Sequence, residues 1–301
     1  MEKKQTRIFT AMRKRVLHST ANWYGGIALD LNTYFGTYTG SHTDSLVFDA
    51  DQHKNIVKKL PEIGILFWIM KICATTLGET GGDLLSMTLN IGYAVSTMIF
   101  ISFFFLTLFT QLISKKYIPL LYWSVIVSTS TAGTTMSDYM DRTLGLGYAL
   151  GTAILITILT SILFLWRLSE KTLSVTEIRT NKGELFYWTA ILFSNTLGTA
   201  LGDYLADNSG LGFAGGAVLI GFLLLLIVLA HYFTKISSVL LFWMAFVLTR
   251  PFGATFGDLL TKGPEKGGLG FGTKGSSLIL FSILMILIVY KSYRKPGKTD
   301  R

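Results

Sequence analysis

The sequence predicts an all-α polytopic membrane protein: eight transmembrane helices arranged as four parallel two-helix repeats, preceded by a cytoplasmic N-terminal extension. Three observations carry that expectation. Half of the 301 residues are hydrophobic and only 15% are charged, far from the balance of an ordinary soluble domain. Eight apolar segments are each long enough for the roughly 20 residues that cross a bilayer. One short motif recurs four times at a constant offset from a tryptophan.

In chain order the apolar segments lie at about 62–86, 92–114, 118–140, 147–167, 183–206, 212–234, 238–260 and 270–292. They group into an extension (1–59), four repeats (60–114, 118–167, 183–235 and 237–293) and a basic cytoplasmic tail (294–301). The extension holds no apolar run of spanning length and no cleavable-signal pattern, so no signal peptide is expected. Its stretch "NWYGGIALDLNTYFGTYTG" follows neither helical nor alternating periodicity.

The net charge of +9 follows topology. Lys3, Lys4, Arg7, Arg13, Lys14, Arg15, Lys54, Lys58 and Lys59 precede the first span, Lys115 and Lys116, then Arg167, Lys171, Arg179 and Lys182, then Lys235 fill alternate loops, and Lys291, Arg294, Lys295, Lys298 and Arg301 close the chain. The positive-inside rule then places both termini in the cytoplasm, and no nucleic-acid partner is expected. The lone Cys73 excludes an intrachain disulfide or a thiolate metal site.

The repeats are exposed by Trp68, Trp123, Trp188 and Trp243, each 15 residues before Asp83, Asp138, Asp203 and Asp258. Five residues before each Asp stands Gly78, Gly133, Gly198 or Gly253, and a small residue directly precedes it. After the Asp the chain turns and re-enters at "IGY", "LGY", "LGF" and "LGF", which predicts a two-helix hairpin as the unit. Two spans per unit give every copy the same orientation, hence parallel repeats about an axis along the membrane normal. The acids then lie about 22 Å from the tryptophans, in the outer half of the membrane.

With "FW", "YW", "YW" and "FW" ahead of the Gly-x-x-x-small-Asp motif, residues 60–293 resemble a bacterial family of integral, membrane-anchored proteins of unknown function. That family is built from four tandem two-helix repeats with a characteristic tryptophan. The resemblance implies architecture and location in a bacterial cytoplasmic (inner) membrane; it implies no activity, and the extension lies outside it.

Small residues one turn apart serve helix packing in lipid, but they do not account for the acids. A carboxylate in a span is costly and should face the bundle interior or water, either as part of a site or as a staple of helix ends. At 100° per residue the positions four and seven before each Asp share its face. They are Glu79, Thr134, Thr199 and Ala254, then Thr76, Thr131, Thr196 and Pro251; one turn further, Ile72, Val127, Leu192 and Val247 form an apolar plug. Such a cup of carboxylate and hydroxyl oxygens suits a hard cation; the four histidines lie outside it.

Lys71 and Arg250 fall inside predicted spans, and within-membrane cations ordinarily pair with acids, so both are expected as counter-charges. The fourth repeat, with Arg250, Pro251 and Ala254, departs most from the others. The leading expectation is a secondary transporter of a small cation, a divalent one foremost, or of exchanging protons. A cation channel with one Asp per repeat and a non-transporting scaffold or sensor are the alternatives. No nucleophile–base pair, HExxH or phosphate loop points to an enzyme, and no cofactor is expected beyond a bound cation.

Overall fold

The computed structural model describes residues 61–293 except Glu62, Lys115, Thr176, Glu177 and Arg179. The expected N-terminal extension and basic tail lie outside the described residues. Eight long helices follow one another: α1 (Ile65–Asp83), α2 (Tyr93–Ile113), α3 (Pro119–Asp138), α4 (Gly147–Glu170), α5 (Asn181–Asp203), α6 (Gly212–Phe233), α7 (Ser238–Thr261) and α8 (Thr273–Tyr293). There is no strand among the described residues.

The helices begin and end where local chemistry directs. Pro119 opens α3 at a position that needs no N–H donor, and the Thr180 side chain caps α5 by accepting from the Gly183 N–H at 2.8 Å. Directly after the Asp, the first three repeats widen into a π-turn at Leu84–Thr88, Tyr139–Thr143 and Tyr204–Asn208. The chain then re-enters through Gly92, Gly147 and Gly212, whose φ values of +83°, +70° and +65° suit glycine alone without strain. The fourth repeat keeps α geometry to Thr261 and turns through Pro264–Lys266 instead.

The odd-numbered helices form the core. Each packs on the next, α1 on α3, α3 on α5, α5 on α7 and α7 back on α1, so they close a four-membered ring. The even helices stand outside that ring. Here the expected hairpin is corrected: α2 lies chiefly against α3, α4 against α5, α6 against α7 and α8 against α1. Each repeat therefore lends its second helix to the first helix of the next, and α8 completes the circle on α1 through Ser277 Oγ, which donates to Thr80 Oγ1 at 2.8 Å.

Close approach in the ring depends on the motif glycines. A Cβ on Gly78 would meet Ser130, one on Gly133 the backbone of Asn195 and Thr196, one on Gly198 Arg250 and Pro251, and one on Gly253 Thr75, all at under 3.0 Å. These partners are one equivalent position, eight residues before the Asp of the next repeat, with a neighbour. The glycine thus works between repeats, as small residues do between membrane helices.

Polarity is distributed inside out. The outer helices expose Met98, Phe105, Leu106 and Phe109 on α2, Phe164 and Leu165 on α4, Val218 and Phe222 on α6, and Leu278 and Ile286 on α8. The ring meanwhile buries Thr75, Thr80, Ser130, Asn195 and Thr199. Five helices, α2, α4, α6, α7 and α8, are long and apolar enough to cross a membrane, which marks a membrane protein. The other three, α1, α3 and α5, carry more polar groups and are sheathed by neighbours.

Candidate functional site

On each ring helix every fourth residue back from the Asp is buried, so equivalent residues form layers of four along the ring. Sixteen residues before the Asp stand Phe67, Tyr122, Tyr187 and Phe242, each touching the tryptophan of the following repeat. The ring centroids are 5.7 Å apart for Phe67–Trp123, 5.5 Å for Tyr122–Trp188, 6.5 Å for Tyr187–Trp243 and 5.8 Å for Phe242–Trp68. A closed aromatic girdle of eight rings results. Tyr122 and Tyr187 hydroxyls meet at 2.8 Å within it, and the Trp243 indole N–H donates to the Leu173 carbonyl at 3.0 Å.

At the opposite end lie the four aspartates, each at most 4% exposed, and every pair among them is within electrostatic reach. Two cations divide them. Arg142 holds Asp138 at 2.9 Å and Asp203 at 3.4 Å, while Lys262 holds Asp83 at 2.5 Å and Asp258 at 3.2 Å. Burial opposes the charge on both cations, but Asp138 and Asp203 overcome it for Arg142, and Asp258 and Asp83 for Lys262; both pKa values are raised. Both cations stand four residues after the Asp of their own repeat, where repeats one and three have Met87 and Asp207. The acid end is therefore twofold rather than fourfold.

Between girdle and acids, Arg250 reaches across the ring. Its fully buried guanidinium donates from Nη2 to Glu79 Oε2 at 3.0 Å, to Thr199 Oγ1 at 2.7 Å, to Thr134 Oγ1 and to the Ser130 carbonyl at 3.4 Å. Nη1 adds the Thr75 carbonyl at 3.4 Å. One side chain on α7 thereby contacts α1, α3 and α5. Its size is accommodated by Gly198, whose missing Cβ would stand 2.4 Å from Arg250 Cγ.

The expected residues separate into groups. Glu79, Asp83 and Asp258 each offer a carboxylate oxygen within 4.8 Å of the others, whereas Asp138 and Asp203 form a second group around Arg142. Thr134 and Thr199 join Arg250. Thr76, Thr131 and Thr196 make no hydrogen bond to the acids among the described residues; their hydroxyls donate to the carbonyls of Ile72, Val127 and Leu192 on their own helices at 2.9, 3.1 and 3.0 Å. A threonine beside its own helix finds that acceptor with no help from a neighbour.

Lys71 is likewise corrected as an acid's counter-charge. It lies eight residues before Glu79, about 12 Å along α1, with its Nζ 4.0 Å from the centre of the Phe246 ring and no carboxylate in contact among the described residues. Neither Arg142 nor Lys262 stood among the expected site residues. Their spacing from Asp138 and Asp258 was the available signal, since residues four apart on a helix are neighbours. A cavity of about 420 Å³ opens beside the carboxylate trio, lined by Asp83, Lys262, Glu265, Lys266, Thr273 and Lys274 among others.

These features define a class: a helical membrane protein with a closed ring of four parallel helices, an aromatic girdle at one end and buried ion pairs at the other. The chain belongs to the repeat family described as Repeat of Unknown Function (DUF347), which matches it four times, at residues 66–117, 121–172, 186–237 and 241–295. Each match holds one ring helix and the outer helix that follows it. No curated protein and no solved structure matches the chain.

Proposed function

We propose that this chain is a secondary transporter of a small, divalent cation, spanning a bacterial cytoplasmic membrane eight times with both termini in the cytoplasm. The observation that carries the reading is the buried trio of Glu79, Asp83 and Asp258, whose oxygens are close enough to share one ion. Oxygen donors of this kind suit a hard cation such as Mg²⁺, Mn²⁺ or Ca²⁺. Lys262 stands between two of the three acids and supplies the competing charge. An incoming cation displaces its ammonium toward the adjoining cavity, and the ammonium returns when the cation leaves. The divalent cation brings two positive charges where the ammonium brought one, so the buried carboxylates stay compensated in both states, which answers the difficulty any intramembrane acid poses.

A continuously open channel fits less well, because Arg250 crosses the ring and the aromatic girdle closes its far end. One observation favours a non-transporting scaffold: every aspartate already has a cation of this chain within 3.4 Å. Thermal unfolding of the purified protein with each divalent cation tests the site, since a ligand of the folded state raises its stability. Cation flux into vesicles then separates carrier from scaffold. Stability indifferent to every divalent cation, with no flux, sinks the transporter reading.

A further inference from the structure

We propose that the centre of the ring, between Arg250 and the aromatic girdle, holds a binding site for a small inorganic anion of halide size, whose donors are Lys71, Arg250 and Ser130, with Asn195 beside them. All four residues are fully buried. Lys71 Nζ, Arg250 Nε, Ser130 Oγ and Asn195 Oδ1 find no hydrogen-bond partner among the described residues. They come from four different ring helices. Ser130, Asn195 and Arg250 occupy one layer, eight residues before their aspartates, and Lys71 occupies the layer one four-residue step below, about 6 Å of rise away. Lys71 and Arg250 lie within electrostatic reach of each other.

Hydrogen-bond accounting decides what such a site takes. The orientation of the Asn195 amide is fixed by Thr129: the Thr129 hydroxyl donates to the Ile126 carbonyl at 2.8 Å, so it accepts from Asn195 Nδ2 at 2.9 Å. Asn195 Oδ1 is therefore the free atom, and as the sole acceptor in the set it does not ligate the anion. The ammonium, the guanidinium Nε–H and the serine hydroxyl are all donors. An unmet buried polar group is costly, and a charged one more so. Water would answer the hydrogen bonds but not the charge, for Glu79 pairs with Arg250 Nη2 and Lys71 has an aromatic face as its only described contact of that kind. A halide accepts from several donors at once and supplies the missing negative charge.

The site is independent of the cation reading, and its test holds the cation constant. The unfolding temperature of the full-length protein in detergent is measured in sodium chloride and in sodium gluconate at equal ionic strength. Chloride is expected to raise it by several degrees in a saturable manner, and Lys71→Met to abolish the difference. Equal stability of the wild-type protein in both salts overturns the proposal, as does a chloride effect that Lys71→Met leaves intact. Should Lys71→Met fail to fold, crystals of the wild-type protein grown in sodium bromide decide the matter. An anomalous peak within hydrogen-bond distance of Lys71 Nζ supports the site, and bromide confined to the surface overturns it.

Discussion

Arg250 on α7 meets Glu79 on α1 at 3.0 Å, both sealed from solvent, at the seam where the fourth repeat closes on the first. Removing one partner strands the other's charge in the ring, a loss of about 3–5 kcal/mol. Glu79→Gln and Arg250→Met are each expected to lower folded yield and unfolding temperature sharply. The double variant should recover part of the loss, because neither charge is then left alone. A double variant that loses the sum of both singles would contradict the pairing.

Ring closure through glycine gives a second expectation. A Cβ at Gly133 would lie 2.9 Å from the Asn195 carbonyl carbon and the Thr196 nitrogen, and backbone atoms cannot rotate aside as a side chain can. Gly133→Ala should therefore force α3 and α5 apart and reduce folded protein. Gly81→Ala, whose Cβ would meet only a Thr131 methyl at 3.6 Å, is the control and should behave as wild type. Equal loss in both would show that helix flexibility, not interhelical approach, governs the effect.

Much of the ring was legible in the chain, and the reasons for the remainder are specific. Trp68 to Asp83 and its three copies gave the repeat because a constant 15-residue offset survives any drift of the other positions. The exchange of outer helices was not legible: nothing within "IGYAVSTMIF" says whether α2 will lean on α1 or α3, since both helices offer small and hydroxyl-bearing residues alike. The site was read along positions four and seven before each Asp, but the core follows every fourth residue. Thr134 and Thr199 on that core line reach Arg250, whereas the threonines at minus seven bond only their own helix carbonyls. Arg250 stood out as a charge in a span, yet its partners lie 51 to 175 residues away, beyond any local pattern.

Asp141 gives a pH dependence. It sits in the π-turn after α3, with Ser137 Oγ donating to its Oδ2 at 3.3 Å and its Oδ1 buried without a hydrogen-bond partner among the described residues. Burial raises its carboxyl to about 6, against the opposing pull of Ser137 and Arg142. An unfolded chain holds the proton only below about 3.9. The folded state thus binds the proton more tightly, and this group costs stability as pH rises through that interval. Asp141→Asn should raise stability at pH 7 by on the order of 1 kcal/mol after allowance for solvent screening, and leave it unchanged near pH 4. Denaturation of both proteins across pH 4 to 7 checks it, and a variant less stable at pH 7 would refute it.

The two bridging cations should answer differently to substitution, although both join a pair of aspartates. Lys262 touches two members of the carboxylate trio, Asp83 and Asp258, whereas Arg142 touches neither and serves Asp138 and Asp203. If Lys262 competes with an incoming cation, Lys262→Gln frees two oxygens and should increase the stabilisation that a divalent cation gives, while lowering stability in its absence. Arg142→Gln should lower stability in both conditions and leave the cation response as in wild type. Asp258→Asn should remove that response, and Asp203→Asn should keep it. Titrations of unfolding temperature against Mg²⁺, Mn²⁺ and Ca²⁺ on the four variants measure this directly. Lys262→Gln that is merely destabilised, with no gain in cation response, would assign Lys262 to holding α7 against α1 and would leave the aspartates as staples of the ring.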